Sequence, residues 1–267
     1  MKNKANEILQ HLFDDGFDLN ATINDVDALR KEYRHLGDEG NANTAWALKT
    51  ILWIHQNYRE TYSLLKDRRY YDAWCLMDRV DIVIGHLLRN FPGTEDAVSF
   101  ISRMVRQLQS LYPYKIFFST VLLIQERRCS ICGGIRSIRR HCGHHPGHVY
   151  VGEMCCDEIT KFSFLGADIV FDPEHKYSVA FATDKQGNRI DQYDYSLLEY
   201  LMNAWDHPYA SWHYTTKHIH KSPAEFPGLT DMSLCPCGSG KKYSECCKND
   251  PAGIKHVEYS FGMGWSK

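Results

Sequence analysis

Nine of the ten cysteines fall in two tight groups, one between residues 129 and 156 and one between 235 and 247. Their spacings are C-x-x-C, C-x-C and C-C. Adjacent cysteines pair only through a strained ring, so these are poor disulfide frameworks. In a reducing compartment such groups read as metal sites, and a metal site dictates the turns around it. The chain is therefore expected to contain two short modules closed by donor atoms. The tenth cysteine, Cys75, sits alone in a helical pattern and reads as core.

The remaining sequence must supply an ordinary core, and it has the means. Apolar residues make up 43% and aromatics 13% of 267 residues, enough for one large domain or two modest ones plus an appendage. Lys and Arg number 31 against 33 Asp and Glu, a formal net charge of −2. That balance excludes a general polyanion binder and leaves nucleic-acid affinity to a local patch. The N-terminal stretch has early acidic residues and no apolar signal region. The longest apolar run, 116–124, is broken by Ser119 and Thr120 and is far short of the roughly 20 residues that span a bilayer. The expectation is a soluble cytoplasmic protein with no membrane span.

Residues 1–112 read as helical. Thr22 followed by Asp25 resembles a capping-box start to a helix that stops at Gly37. Helical spacing continues over 43–66 (Ala45, Leu48, Leu52) and 70–91 (Trp74, Met77, Ile84, Leu87). Pro92-Gly93 ends that run, and Thr94, Glu95 and Asp96 open another with Val98, Ile101, Val105 and Leu108 on one face. Four helices with short links predict an antiparallel bundle or a helical-hairpin array. From Pro113 the pattern becomes strand-like. KIFF, VLLIQ, GADIVF and YSVAFAT are rich in β-branched and aromatic residues, and a helix is expected over 194–206. Residues 207–233, with Pro208, Pro223 and Pro227, read as a loop-rich linker. The reading is α+β, with a helical domain at 1–112, a β-rich zinc-binding domain at 113–206, the linker at 207–233 and a zinc knuckle with tail at 234–267.

The C-terminal run is Cys235-Pro-Cys237-Gly-Ser-Gly-Lys-Lys-Tyr-Ser-Glu-Cys246-Cys247. Gly238 and Gly240 permit a turn that aims backbone amides at the thiolates. After eight intervening residues, Cys246 and Cys247 complete a tetrahedron. Four thiolates make a closed structural zinc site with no position for a reacting water. Such a short tail cannot bury a core, so the metal supplies its folding free energy. The run resembles the SEC-C motif at the C-terminus of the SecA translocase motor, over about residues 233–248. The motor ends its motif in Cys-His where this chain has Cys-Cys. There the motif docks partners. The resemblance thus implies docking here, with Lys241, Lys242 and Tyr243 as the exposed contact edge. The GSGKK string lacks the spacing of a phosphate-binding loop.

The central cluster begins with Cys129-Ser-Ile-Cys132-Gly, a knuckle spacing. Cys142, His144, His145, His148, Cys155 and Cys156 follow. Residues 148–152 read as a strand and 155–162 as a short helix, a treble-clef-like order. The expected ligands are Cys129, Cys132, Cys155 and either Cys142 or His144. His145 and His148 read as surface residues or as supports behind the ligands, and Cys156 as apolar packing. Two zinc ions per chain are expected. Arg127, Arg128, Arg136, Arg139 and Arg140 accompany this cluster, and no acid occurs from 127 to 152. Arg136, Arg139 and Arg140 are therefore candidate phosphate contacts. Residues 112–183 also resemble a group of small bacterial proteins that end in SEC-C, a likeness that supports the metal reading and brings no activity.

Three functions compete. The first is an adapter that docks onto a larger protein assembly through the knuckle and the helical body. The second is a degenerate HNH-like nuclease built on the Cys-x-x-Cys scaffold and the His144-His145 hairpin, although its acidic residue and final helix ligand are not evident. The third is a nucleic-acid binder using the 127–152 module. No catalytic residue is assigned. His213, His218 and His220 read as loop histidines, and no nucleophile elbow or dinucleotide fingerprint is present.

Overall fold

The computed structural model describes residues 1–14, 16–139 and 142–264, with Lys2 by its backbone alone. The chain forms two compact units, Met1–Tyr209 and Ala210–Lys267.

The first unit opens with five helices: α1 (Lys2–Gln10), α2 (Leu19–His35), α3 (Glu39–Lys66), α4 (Tyr70–Asn90) and α5 (Glu95–Ser110). α1 is one helix more than the pattern predicted. α2 starts earlier than Thr22 suggested, because Asp18 is the N-cap and its carboxylate accepts from the Ala21 amide at 2.9 Å. The long α3 is the axis of the unit. It buries Ala45, Leu48, Leu52, Ile54, His55, Tyr58 and Leu65, and it packs against α2, α4 and α5. So wide a buried face fits a helix surrounded by neighbours.

The expected border at 112/113 does not separate two bodies. Trp74 of α4 meets the rings of Tyr112 and Tyr114 at 4.8 and 5.1 Å, and its indole N–H donates to Lys176 O. The helix α6 (Ser196–Ala204) returns to α3, where Lys66 donates to Met202 O and Trp205 O at 2.7 Å each. The Tyr58 hydroxyl donates to Pro208 O at 2.8 Å. Aromatic side chains from both halves thus share one core.

The predicted strands KIFF and VLLIQ merge into one strand, β1 (Phe117–Cys129). It pairs antiparallel with β4 (Asp157–Val170) as a two-stranded ribbon. β4 takes up residues 157–162 of the 155–162 segment where a helix was expected, so the treble-clef-like order is replaced. The reason lies in DEITKFSFLGADIV, whose alternating β-branched and aromatic residues fit a strand that a long partner can pair. Between these strands lies the central cysteine loop, with a small hairpin of β2 (Val149–Tyr150) and β3 (Glu153–Met154). β5 (Ala182–Thr183) and β6 (Arg189–Ile190) form another.

The second unit corrects the linker reading. Residues 212–221 are a strand, β7 (Trp212–Lys221), paired over ten positions with β8 (Ile254–Met263). Thr215, Thr216, Ile219 and the flanking aromatics suit an extended ribbon, and the histidines His213, His218 and His220 are strand residues. The knuckle is carried at the closed end of this ribbon. Gly253 makes that junction possible: at φ +100° a Cβ would lie 2.6 Å from Lys221 O.

Candidate metal centres

The donors of the C-terminal cluster come from two tight turns. Cys235 N donates to Lys241 O at 2.8 Å and Gly238 N to Cys235 O at 3.1 Å, which folds the CPCGSG turn back on itself. Gly238 and Gly240 both take positive φ, as the turn requires. A single-turn 3-10 helix, Tyr243–Glu245, then leads into Cys246. The four sulfur atoms of Cys235, Cys237, Cys246 and Cys247 lie within 4.8 Å of one another. Around them Cys235, Tyr243, Cys247 and Ile254 are buried, with Phe226 and Leu229 packed alongside.

Tyr243 therefore belongs to the inside of the knuckle and not to a contact edge. Its amide donates to Ser233 O at 2.8 Å, and its side chain is buried in one cluster with Cys235, Cys247 and Ile254. Lys241 and Lys242 are exposed.

Crowding thiols splits their acidities. The Ser239 hydroxyl, the Cys235 and Cys246 thiols and the Ser239 amide bring Cys237 down to about 6 against the opposing effect of burial. At Cys247 a backbone hydrogen bond with Lys255 favours the thiolate, but burial and the neighbouring thiols prevail and push it up to about 12. A divalent cation at the centre of such a group makes all four thiolates favourable at once.

The central cluster gathers Cys129, Cys132, Cys142 and His144, whose donor atoms also lie within 4.8 Å of one another. Cys129 closes β1, and its knuckle is fixed by Cys129 N donating to Gly134 O and Gly133 N to Cys129 O. Burial raises the Cys129 thiol, but the amides of Cys132 and Ile131 and the thiols of Cys155 and Cys132 outweigh it and hold it at about 6. Tyr150 holds the following loop: its hydroxyl accepts from His145 N at 2.9 Å, and its ring meets His144 edge-on at 4.8 Å.

The sequence treated Cys142 and His144 as alternatives, and the structure places both in the set. Cys155 lies beside it, with Sγ 3.7 Å from that of Cys129. The Cys155 sulfur accepts from Arg136 at 3.0 Å, and Arg136 also donates to His144 O at 2.9 Å and pairs with Asp157. Burial and Cys129 push the Cys155 thiol up to about 11 against the pull of Arg136. His145, His148 and Cys156 are exposed, the last where apolar packing was expected.

That arrangement also revises the basic patch. Arg136 is turned inward, its side chain 17% exposed, so it is occupied in supporting the cluster. Arg127 pairs with Asp157 and Arg128 with Glu126. Arg139 is exposed, and Arg140 lies outside the described residues. The acids that neutralise this module flank it in β1 and β4, beyond the 127–152 window read from the sequence. The HNH-like reading loses its closing helix, because residues 157–162 belong to β4.

The loop is clamped to the helices by its hairpin. Val151 and Gly152 form a two-residue turn with φ +44° and +74°. Gly152 N donates to Asn43 Oδ1 at 2.6 Å, and Arg30 donates to Gly152 O at 2.8 Å. Glu153 pairs with Arg34 and Arg30. Asn90 of α4 donates to Gly147 O and accepts from Val149 N. The helix residues Arg30, Arg34, Asn43 and Asn90 carried no sequence signal, since each acts across a long chain separation.

Residues 233–249 match the SEC-C motif family. The match covers the C-terminal cysteine group, and cysteine sets of this kind are zinc-binding. No curated protein and no solved structure matches the chain. The class defined here is a zinc-binding protein with a SEC-C motif and a second Cys/His cluster. Among the described residues no helix is long and apolar enough to cross a membrane.

Proposed function

We propose that this chain is a cytoplasmic adapter that docks onto a larger protein assembly through its SEC-C knuckle, with the helical unit as its body. Zinc is held by Cys235, Cys237, Cys246 and Cys247 in the tail. In the centre it is held by Cys129, Cys132, Cys142 and His144, with Cys155 and Arg136 in support. The observation that carries this reading is the position of the knuckle at the closed end of the β7–β8 ribbon, with Lys241 and Lys242 exposed. A four-thiolate set offers no open coordination position, so its chemistry is structural. Ten paired residues at about 3.4 Å each make a stalk roughly 30 Å long. Within its own unit the ribbon holds the basic tip with less loss of order than a flexible arm would.

The test is affinity purification of the full chain and of the Lys241→Glu, Lys242→Glu double variant across a salt series. The expected result is a protein species captured by the wild type, released by salt and lost in the variant, with zinc content and melting temperature unchanged. Salt-insensitive capture by the variant would sink the basic edge as the docking surface. Recovery of nucleic acid in place of protein would move the reading to the exposed part of the 127–152 module, where Arg139 lies.

A further inference from the structure

The β1–β4 ribbon has two unlike faces. Directly opposed residues share a face, so the pairs Phe118–Ile169, Thr120–Ala167, Leu122–Phe164 and Ile124–Phe162 line one side. The other side carries Ser119–Asp168, Val121–Gly166 and Leu123–Ser163. The first face is wholly uncharged. Its six large side chains are 37% to 64% exposed. At about 200 Å² for each fully exposed side chain, they leave on the order of 600 Å² of apolar surface bare. That is at the top of what a monomer ordinarily shows and about three-quarters of what one partner contributes to a stable interface.

We propose that this face is a dimer interface, occupied by the same face of a second copy of the chain. The area meets most of a standard interface from six side chains alone, and the flanking threonine, alanine and backbone add to it. A two-fold axis sets each residue against its own patch, which a charged surface resists and this uncharged one permits. Stacked sheet faces bury alternate side chains between layers about 10 Å apart, the geometry that phenylalanine, leucine and isoleucine on one pleated face supply. Edge-to-edge pairing is the less suitable mode. The ribbon breaks register between Val121 and Leu122, between Ile124 and Glu126, and between Glu126 and Arg127. Such irregularities disrupt the ladder a new strand would extend.

The experiment is the mass of the zinc-loaded full chain by light scattering and sedimentation across a concentration series. It includes a Leu122→Asp, Phe164→Asp variant and a Leu123→Asp control on the opposite face. These side chains are exposed, so circular dichroism and zinc content should match the wild type. The expected result is a dimer for the wild type and the control, and a monomer for the double variant. The milder Phe164→Ala should raise the dimer Kd by roughly a hundredfold, since two rings are lost per dimer. A wild type that stays monomeric throughout, binds lipid vesicles as a monomer, or forms only undefined larger species overturns the proposal. So does a dimer that survives the double variant, or one that Leu123→Asp breaks equally.

Discussion

Replacing Gly152 by Ala asks how tightly the central metal loop is held to the helices. At φ +74° an L-residue is strained by about 1–2 kcal/mol. The added Cβ would lie 3.0 Å from Arg30 Cγ, 3.1 Å from Ala42 O and 3.2 Å from Ala42 Cβ. Ala42 is fully buried on α3 and has nowhere to move. Overpacking of this kind costs about 1–3 kcal/mol. If the turn lifts instead, the bonds of Gly152 to Asn43 and Arg30 are lost, at about 1 kcal/mol each. Either route gives a loss of about 3 kcal/mol, or a fall in Tm of roughly 6–12 °C for a unit of this size. Thermal unfolding followed by circular dichroism measures it, with Gly187→Ala as the control. Gly187 also has positive φ, at +85°, but a Cβ there meets open space, so only the conformational cost remains. If Gly152→Ala melts no lower than Gly187→Ala, the hairpin is not clamped and the reasoning fails.

Elemental analysis of protein purified without added metal should find two zinc ions per chain, and one or none would contradict two centres. Cys132→Ser should destabilise the Met1–Tyr209 unit while Cys237→Ser leaves its melting intact, because the two clusters lie in separate units; identical melting curves would refute that independence. Stability should fall as pH drops from about 6.5 toward 4 because of His55. Burial, with a smaller contribution from Arg59, brings this imidazole down to about 4 against the Ala97 hydrogen bond. The unfolded chain then binds a proton the folded one refuses, so stability is complete above about 6.5 and declines by up to about 3 kcal/mol through that window. In His55→Gln this part of the pH dependence should vanish; if the slope persists, His55 is not its source. Gly253→Ala should disturb the knuckle by at least about 2 kcal/mol, since its Cβ would press on Lys221 O. Proteolysis of the 210–267 unit would report the change, and unaltered resistance would count against the close pass.

The sequence alone determined the features whose causes are local. The SEC-C donors lie within thirteen residues, 235–247, so spacing and two glycines suffice to bring the thiols together. Helices α3, α4 and α5 follow from apolar periodicity and the breaks at Pro92-Gly93. Other features depend on partners far along the chain. Cys155 looked like a ligand by spacing, yet Arg136 and Asp157 hold it beside the set that Cys142 and His144 complete. Tyr243 looked exposed beside two lysines, and only the packing of Ile254 and Phe226 shows it to be interior. Residues 155–162 read as a helix, but from Asp157 onward β1 offers a strand to pair with. The extended character of 212–221 was legible in its threonines, isoleucine and aromatics, but its meaning required β8, more than thirty residues away. Short-range ligand spacing is fixed by chain geometry. Strand partners, clamps and burial are fixed by what the rest of the chain places opposite, and that choice is made only by the tertiary structure.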